Sequence, residues 1–148
     1  MKRFIAAMLV LFFVMGITQA QTKKDVETWV KKAIEYYKSV GKEKAFEEFN
    51  NPKGKFSTDK LYITVDGLDG SCLAHGANVK MTGKNWSDLK DADGKAFIKE
   101  RKEIVQKSGK GWQTYKWTNP ETKQIEVKST YLEKVGDLIF TCGVYGLK

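Results

Sequence analysis

Histidine, arginine, proline and cysteine are all scarce in this chain of 148 residues, which holds one histidine, two prolines, two cysteines and only Arg3 and Arg101 as arginines. Each scarcity excludes something. A zinc or copper centre draws on several His or Cys ligands, so His75 with Cys72 and Cys142 makes a poor metal site. The C-x-x-C-H haem attachment is absent. A nucleic-acid surface clusters Arg and Lys with stacking aromatics. Here the 26 basic residues are nearly all lysines, spread along the chain and mostly beside Asp or Glu, for a formal charge of +8. That pattern is a solvated, lysine-rich surface with a modest pull on anions. No nucleic-acid partner is expected. No nucleophile–base pair, metal cluster or cofactor motif is visible either, so the sequence predicts neither an enzyme nor a cofactor.

Long apolar runs are missing too, apart from the first residues. Met1-Lys2-Arg3 is a positive start, Phe4 to Ile17 is an unbroken apolar or small run, and Thr18-Gln19-Ala20 offers a small-residue cleavage site. This is the pattern of a secretory signal peptide over residues 1–20. The run spans 14 residues, short of the ~20 that a spanning helix needs. Cleavage after Ala20 would remove Lys2 and Arg3 and bring the formal charge from +8 to +6. The mature domain, residues 21–148, is then expected to be soluble and periplasmic or secreted. It is long enough to bury a core without staples.

Within that domain the periodicity predicts a helix over 23–40, where Val26, Trp29, Val30, Ala33, Ile34 and Tyr37 form one stripe. A short helix follows over 42–50, with Ala45, Phe46 and Phe49 on one side. Leu61–Asp66 alternates as a strand: Leu61, Ile63 and Val65 face one way, Tyr62, Thr64 and Asp66 the other. Gly67-Leu68-Asp69-Gly70 turns into a returning strand, Ser71–His75. Asp66 and Asp69 read as turn formers there. Residues 76–94 are loop-like. A third helix over 95–108 places Phe97, Ile98, Arg101, Ile104 and Val105 on one face. Strands over 112–118, 124–135 and 138–145 complete an α+β domain, a five-stranded antiparallel sheet with helices to one side. Asp91-Ala92-Asp93-Gly94 has the look of a calcium loop, but its first ligand position would be Leu89. A turn and helix N-cap account for it better.

LYITVDGLDGSCLAHGAN (Leu61–Asn78), GKNWSDLKDADGK (Gly83–Lys95), GWQTYKWTNP (Gly111–Pro120), KSTY (Lys128–Tyr131) and CGVY (Cys142–Tyr145) together resemble a single Cache domain of the second type. This is a PAS-like extracytoplasmic sensor module, and the likeness covers roughly residues 24–146. It implies a sheet of spatial order 2-1-5-4-3, counting strands along the chain, with the long N-terminal helix on one face. The other face, roofed by the segment between strands two and three, would hold the ligand pocket. It also implies a small carboxylate as ligand and a place in chemotaxis or other signal transduction. The chain ends shortly after Tyr145, so an output domain is expected to come from a partner such as a membrane receptor or sensor kinase. In that strand order, strand one separates Cys72 from Cys142, further than a disulfide tolerates.

A carboxylate site needs a cation, a few hydroxyl or ring N–H donors, and walls that exclude water. The candidates are Lys128 and Arg101 as cations, Tyr62, Tyr115 and Tyr131 as hydroxyls, His75 as a donor, and Trp112 and Trp117 as walls. The resemblance places a lysine beside the pocket at 128. Two readings fit Arg101: a side chain snorkelling from the margin of its stripe, or a fork clamping a carboxylate. His75 is a pocket donor or a satisfied structural histidine. Lys128 and Tyr131 are three apart and point to opposite faces of a regular strand. Cys72 and His75 are also three apart, which disfavours a Cys–His catalytic pair. The expected function is binding of a small organic anion. The alternative is an envelope interaction module without a ligand, and the two separate on whether Tyr62, Lys128 and Trp112 line one cavity.

Overall fold

The computed structural model describes residues 21–147, so the signal peptide expected over 1–20 lies outside the described residues. The chain opens with helix α1, Lys23–Val40. Thr22 and Asp25 close a reciprocal capping box at its start, which satisfies two otherwise orphaned N–H groups. Its buried stripe is Val26, Val30, Ala33 and Ile34, at the spacing of one helical face. Helix α2, Lys42–Phe49, follows at once and buries Ala45 and Phe49. Then come strands β1 (Ile63–Gly67) and β2 (Cys72–His75), a 3-10 turn at Val79–Met81, helix α3 (Phe97–Ser108), and strands β3 (Lys110–Thr118), β4 (Ile125–Val135) and β5 (Leu138–Tyr145).

The strands form one antiparallel sheet in the order β2-β1-β5-β4-β3, as the resemblance implies. Helices α1 and α2 cover one face. There Val26, Val30 and Ile34 meet Ile63, Val65, Phe140, Cys142 and Val144 in the main core. Phe49 is fully buried and sits edge-on to Phe56 and Phe140, with ring centroids 5.1 and 6.2 Å away.

The helices are not all on one side, and this corrects the sequence reading. Helix α3 lies over the opposite face, where Val105 packs with Leu132 and Ile139 and Ile104 leans on that cluster. The reason is alternation: Leu132 and Ile139 point away from the α1 core that their neighbours Tyr131 and Phe140 join. An α3 with Phe97, Arg101 and Val105 on its buried side needs that second surface. Gly109, in the left-handed conformation at φ 72°, ends α3 and turns the chain into β3.

The segment between β2 and α3 follows the sheet margins. Residues near Lys84 run beside β2: Cys72 N–H donates to Lys84 O and Gly83 N–H to Cys72 O. At the far edge, Asp91 accepts the backbone N–H of Lys116 at 2.9 Å, as well as those of Asp93 and Lys95. Lys95 Nζ reaches Thr114 O at 2.5 Å. Asp91 is therefore a turn residue that occupies an open strand edge. It does not cap α3, whose N-cap is Ala96 without a side-chain bond.

Candidate functional site

The face of the sheet turned away from α1 carries an unusual share of buried polar groups. Alternation along residues 62–66 aims Tyr62, Thr64 and Asp66 at this face while Ile63 and Val65 enter the core. β3 adds Gln113, Tyr115 and Trp117, β4 adds Lys128 and Thr130, and β5 adds Thr141. A cavity of about 30 Å³ lies among them. Its floor is the sheet, its side is Phe97, Ile98 and Arg101 of α3, and its roof is Met81, Trp86 and Leu89 from the segment after β2.

At one end stands Lys128, 3% exposed. Its Nζ donates to Tyr62 Oη at 2.6 Å and lies 4.1 Å from the centre of the Tyr62 ring and 5.4 Å from that of Tyr145. Among the described residues, no Asp or Glu oxygen comes within 4.0 Å of that nitrogen. A buried ammonium held only by a phenol and two ring faces is costly without a counter-charge. Tyr62 in turn stacks on His75, with ring centroids 5.3 Å apart.

At the other end stands Arg101, 4% exposed. Its Nη1 makes a buried ion pair with Asp66, Nη2 donates to Tyr115 Oη at 3.3 Å, and Nε faces Gln113 Oε1 at 3.5 Å. Gln113 is fixed by donating to Phe97 O and Glu100 Oε2, both at 2.6 Å. Phe97 lies flat on Tyr115, with centroids 4.3 Å apart and planes 3° from parallel. So Arg101 neither snorkels nor stands free to clamp: its charge is already met inside the protein. Asp66, which the sequence suggested as a turn former, is its partner. Asp69 alone keeps the turn role, holding Ser71 N–H at 3.0 Å.

The titratable groups record this environment. Burial, then the charges of Lys128 and Arg101, push His75 down to about 3. Its ring is neutral, and Nδ1 accepts the Asn78 N–H at 3.0 Å, which leaves the proton on Nε2 as a donor. Burial would raise the Tyr115 phenol, yet Lys128 and Arg101 outweigh it and hold the phenol below its ordinary value. Burial raises Tyr62. Burial, aided by Asp66, pushes the Cys72 thiol up to about 12. Cys142 is likewise raised to about 12 by burial.

Of the eight residues that the sequence put forward, Tyr62, His75, Arg101, Tyr115, Trp117 and Lys128 line this one cavity. Trp112 and Tyr131 do not. Both belong to the α1 side of the sheet, where their rings meet at 5.6 Å, Trp112 Nε1 donates to Glu27 at 3.1 Å, and Tyr131 Oη donates to Glu133 at 3.0 Å. Trp112 is three residues from Tyr115, and Tyr131 three from Lys128. Regular strands send such pairs to opposite faces, and neither β3 nor β4 bulges in its pairing.

A bulge does occur in β2, and it overturns another expectation. His75 pairs with Thr64, Ala74 with Val65, and Cys72 with Asp66, so Leu73 has no partner. The extra residue brings Cys72 and His75 to the same face, and both line the cavity. Their chemistry still argues against a catalytic pair, since the thiol is raised and the imidazole lowered, the reverse of what an activated nucleophile needs. Cys72 and Cys142 are both free and buried. β1 runs between their strands and they occupy opposite faces.

Sequence reasoning passed over Asp66, Cys72, Met81, Trp86 and Leu89 as cavity residues. For Asp66 the signal was present, since it shares the alternation of Tyr62 and Thr64. For the roof residues no periodic signal exists, because their placement follows from loop pairing with β2.

Comparison with known proteins agrees with this architecture. The family model described as Single Cache domain 2 matches residues 4–145. A solved methyl-accepting chemotaxis protein from Vibrio parahaemolyticus superposes with a TM-score of 0.72 at 22% identity, covering 83% of this chain and 87% of that one. A Cache chemosensory domain described for its carboxylic acid recognition superposes with a TM-score of 0.71 at 23% identity, covering 85% of this chain and 99% of that one. Among curated sequences, the sensor histidine kinase MctS of Rhizobium johnstonii is 37% identical over 71 residues. That stretch is 48% of this chain but 15% of the kinase.

Proposed function

We propose, for a chain that belongs to the Single Cache domain 2 family, a function of capture: it holds a short-chain carboxylate or similar small organic anion and does no chemistry on it. Cache domains are extracytoplasmic sensor modules that bind small molecules in receptors and sensor kinases. The observation that carries the anion reading is Lys128, a buried ammonium whose nearest polar partner is the Tyr62 phenol at 2.6 Å. A carboxylate at that nitrogen supplies the missing charge and a charge-assisted hydrogen bond. His75 Nε2–H and the Tyr62 hydroxyl orient it, while the rings of Tyr115, Phe97 and Trp117 wall it from water. The cavity of about 30 Å³ is on the scale of a single water's share of the liquid, so only the smallest acids are candidates, and the side chains around it shift to admit one. The Cache chemosensory domain described for carboxylic acid recognition supports the same ligand class.

In this reading residues 1–20 are a secretory leader and the domain works in the periplasm. Binding tightens the roof segment over Met81, Trp86 and Leu89, and a receptor or sensor kinase responds to that change. A thermal-shift screen of acetate, propionate, lactate, pyruvate and longer acids tests the claim. A rise in melting temperature that Lys128→Met abolishes supports it, and silence toward every acid rejects it. The small cavity favours one competing reading, an envelope interaction module with no ligand, and that module is what silence would leave standing.

A further inference from the structure

A second cavity, of about 160 Å³, lies on the far side of the Asp66–Arg101 pair. Asp66, Ile98 and Arg101 line both cavities, so these side chains form the wall between them. The geometry along β1 fixes the order. Tyr62, whose Oη meets Lys128, and Asp66, which pairs with Arg101, are set four residues apart along the extended backbone, a rise of ~13 Å between their backbones, and Tyr115 lies between the two cations, with its Oη 3.3 Å from Arg101 Nη2. The cavity therefore runs from an ammonium without a carboxylate to a guanidinium that has one. Beyond that lies the larger cavity, a cleft with Leu68, Ile98 and Ile139 on its inner side and the exposed Asp69, Lys99 and Lys102 at its mouth.

Resting on the capture reading above, we infer that the Asp66–Arg101 pair is a partition that sets the length of acid the site accepts. The ligand carboxylate belongs at Lys128, so its chain points along β1 toward the pair. The pair cannot swing aside cheaply. Arg101 is also bonded to Tyr115 and faces Gln113, and Gln113 is held by Phe97 O and Glu100. Separating two fully buried charges leaves each uncompensated. An acid long enough to meet the pair must break it, and a shorter one leaves it intact. The pair thus acts as a stop, with the cleft of about 160 Å³ behind it open to a longer tail only when the pair is removed.

Calorimetric titration of the purified chain with acetate, propionate, butyrate, valerate and hexanoate tests the partition. Wild-type affinity should fall at least about tenfold between propionate and hexanoate, the scale that a few misplaced methylenes produce. The double variant D66A/R101A removes both charges together and opens the wall. It should bind hexanoate within about threefold of propionate. Ile98→Ala widens the same wall without touching a charge and should move the cut-off toward longer acids, which decides the matter if the double variant does not fold. Opened variants that bind propionate but keep the wild-type cut-off overturn the partition alone, as does a wild type that takes hexanoate as readily as propionate. A wild type that binds no acid at all overturns the capture reading, and the partition with it.

Discussion

The side chain of Lys128 crosses the backbone of Gly143. A Cβ on residue 143 would overlap Lys128 Cε and Thr130 Oγ1, and Gly143 pairs with Thr130 in the sheet. The glycine of the CGVY segment is thus what lets the ammonium stem lie flat on β5 and place Nζ beside Tyr62. Substituting it moves the cation that the proposed site depends on.

Gly143→Ala should therefore lose anion binding out of proportion to its stability. Crowding a packed site costs about 1–3 kcal/mol, which leaves a folded protein, while affinity for a short acid should drop at least about tenfold. Parallel urea denaturation and calorimetry check this. A variant that is destabilised but binds normally contradicts the placement of Lys128 over Gly143.

Replacing Lys128 itself separates stability from function. Lys128→Met conserves length and removes a buried charge that meets no carboxylate among the described residues. Without ligand, the variant should be between equal in stability and about 2 kcal/mol more stable than wild type, because the desolvation cost disappears. A loss of stability of several kcal/mol would instead mark Lys128 as a structural element.

The Asp66–Arg101 pair should behave in the opposite way. Asp66→Ala strands Arg101 at 4% exposure and should cost about 3–5 kcal/mol. D66A/R101M, which removes both charges and keeps volume, should recover much of that loss. A double-mutant cycle measures the coupling, and strict additivity would mean that the two side chains do not support one another.

The alternation of Tyr62, Thr64 and Asp66 against Ile63 and Val65 was legible because one strand with one buried face writes a period of two into the sequence. The α1 stripe and the strand order were legible for similar reasons, through periodicity and through the segments that resemble a Cache domain. What was not legible is contact between residues distant in sequence. Asp66 beside Gly67 looks like a turn residue until α3 brings Arg101 onto it from 35 positions away. Trp112 and Tyr131 were attractive by residue type, but residue type does not fix a face, and the parity of β3 and β4 sends them to α1. The β2 bulge reverses the same parity argument for Cys72, since no local residue announces the unpaired Leu73.

Two acid–base groups give separate, testable pH responses. His75 is lowered to about 3 from its ordinary value of 6.5. The unfolded chain therefore binds a proton below pH 6.5 that the folded chain refuses until about pH 3. Stability falls as pH drops through that window, by something on the order of 5 kcal/mol. His75→Phe should flatten the curve between those limits, as followed by denaturation at a series of pH values. An unchanged slope would show that His75 is not protected from protonation.

Asp91 acts in the same direction, in a more acidic range. Its carboxylate is lowered from 3.8, chiefly by the Lys116 N–H, which outweighs an opposing effect of desolvation, and further by the N–H groups of Lys95 and Asp93. The clasp on β3 is intact above pH 3.8 and is released as pH falls through the lowered value. Hydrogen exchange at Lys116 and in the roof segment should speed up in that acid range, and Asp91→Asn should bring the faster exchange to neutral pH. Equal protection in the variant would remove Asp91 from the account of how the roof is held.

The most direct measurement is calorimetric titration of propionate into wild type and Lys128→Met side by side, with unfolding curves of both. Capture at the buried ammonium predicts saturable binding by wild type, none by a variant at least as stable, and a thermal shift confined to wild type. Equal binding by the two proteins, or none by either, contradicts it.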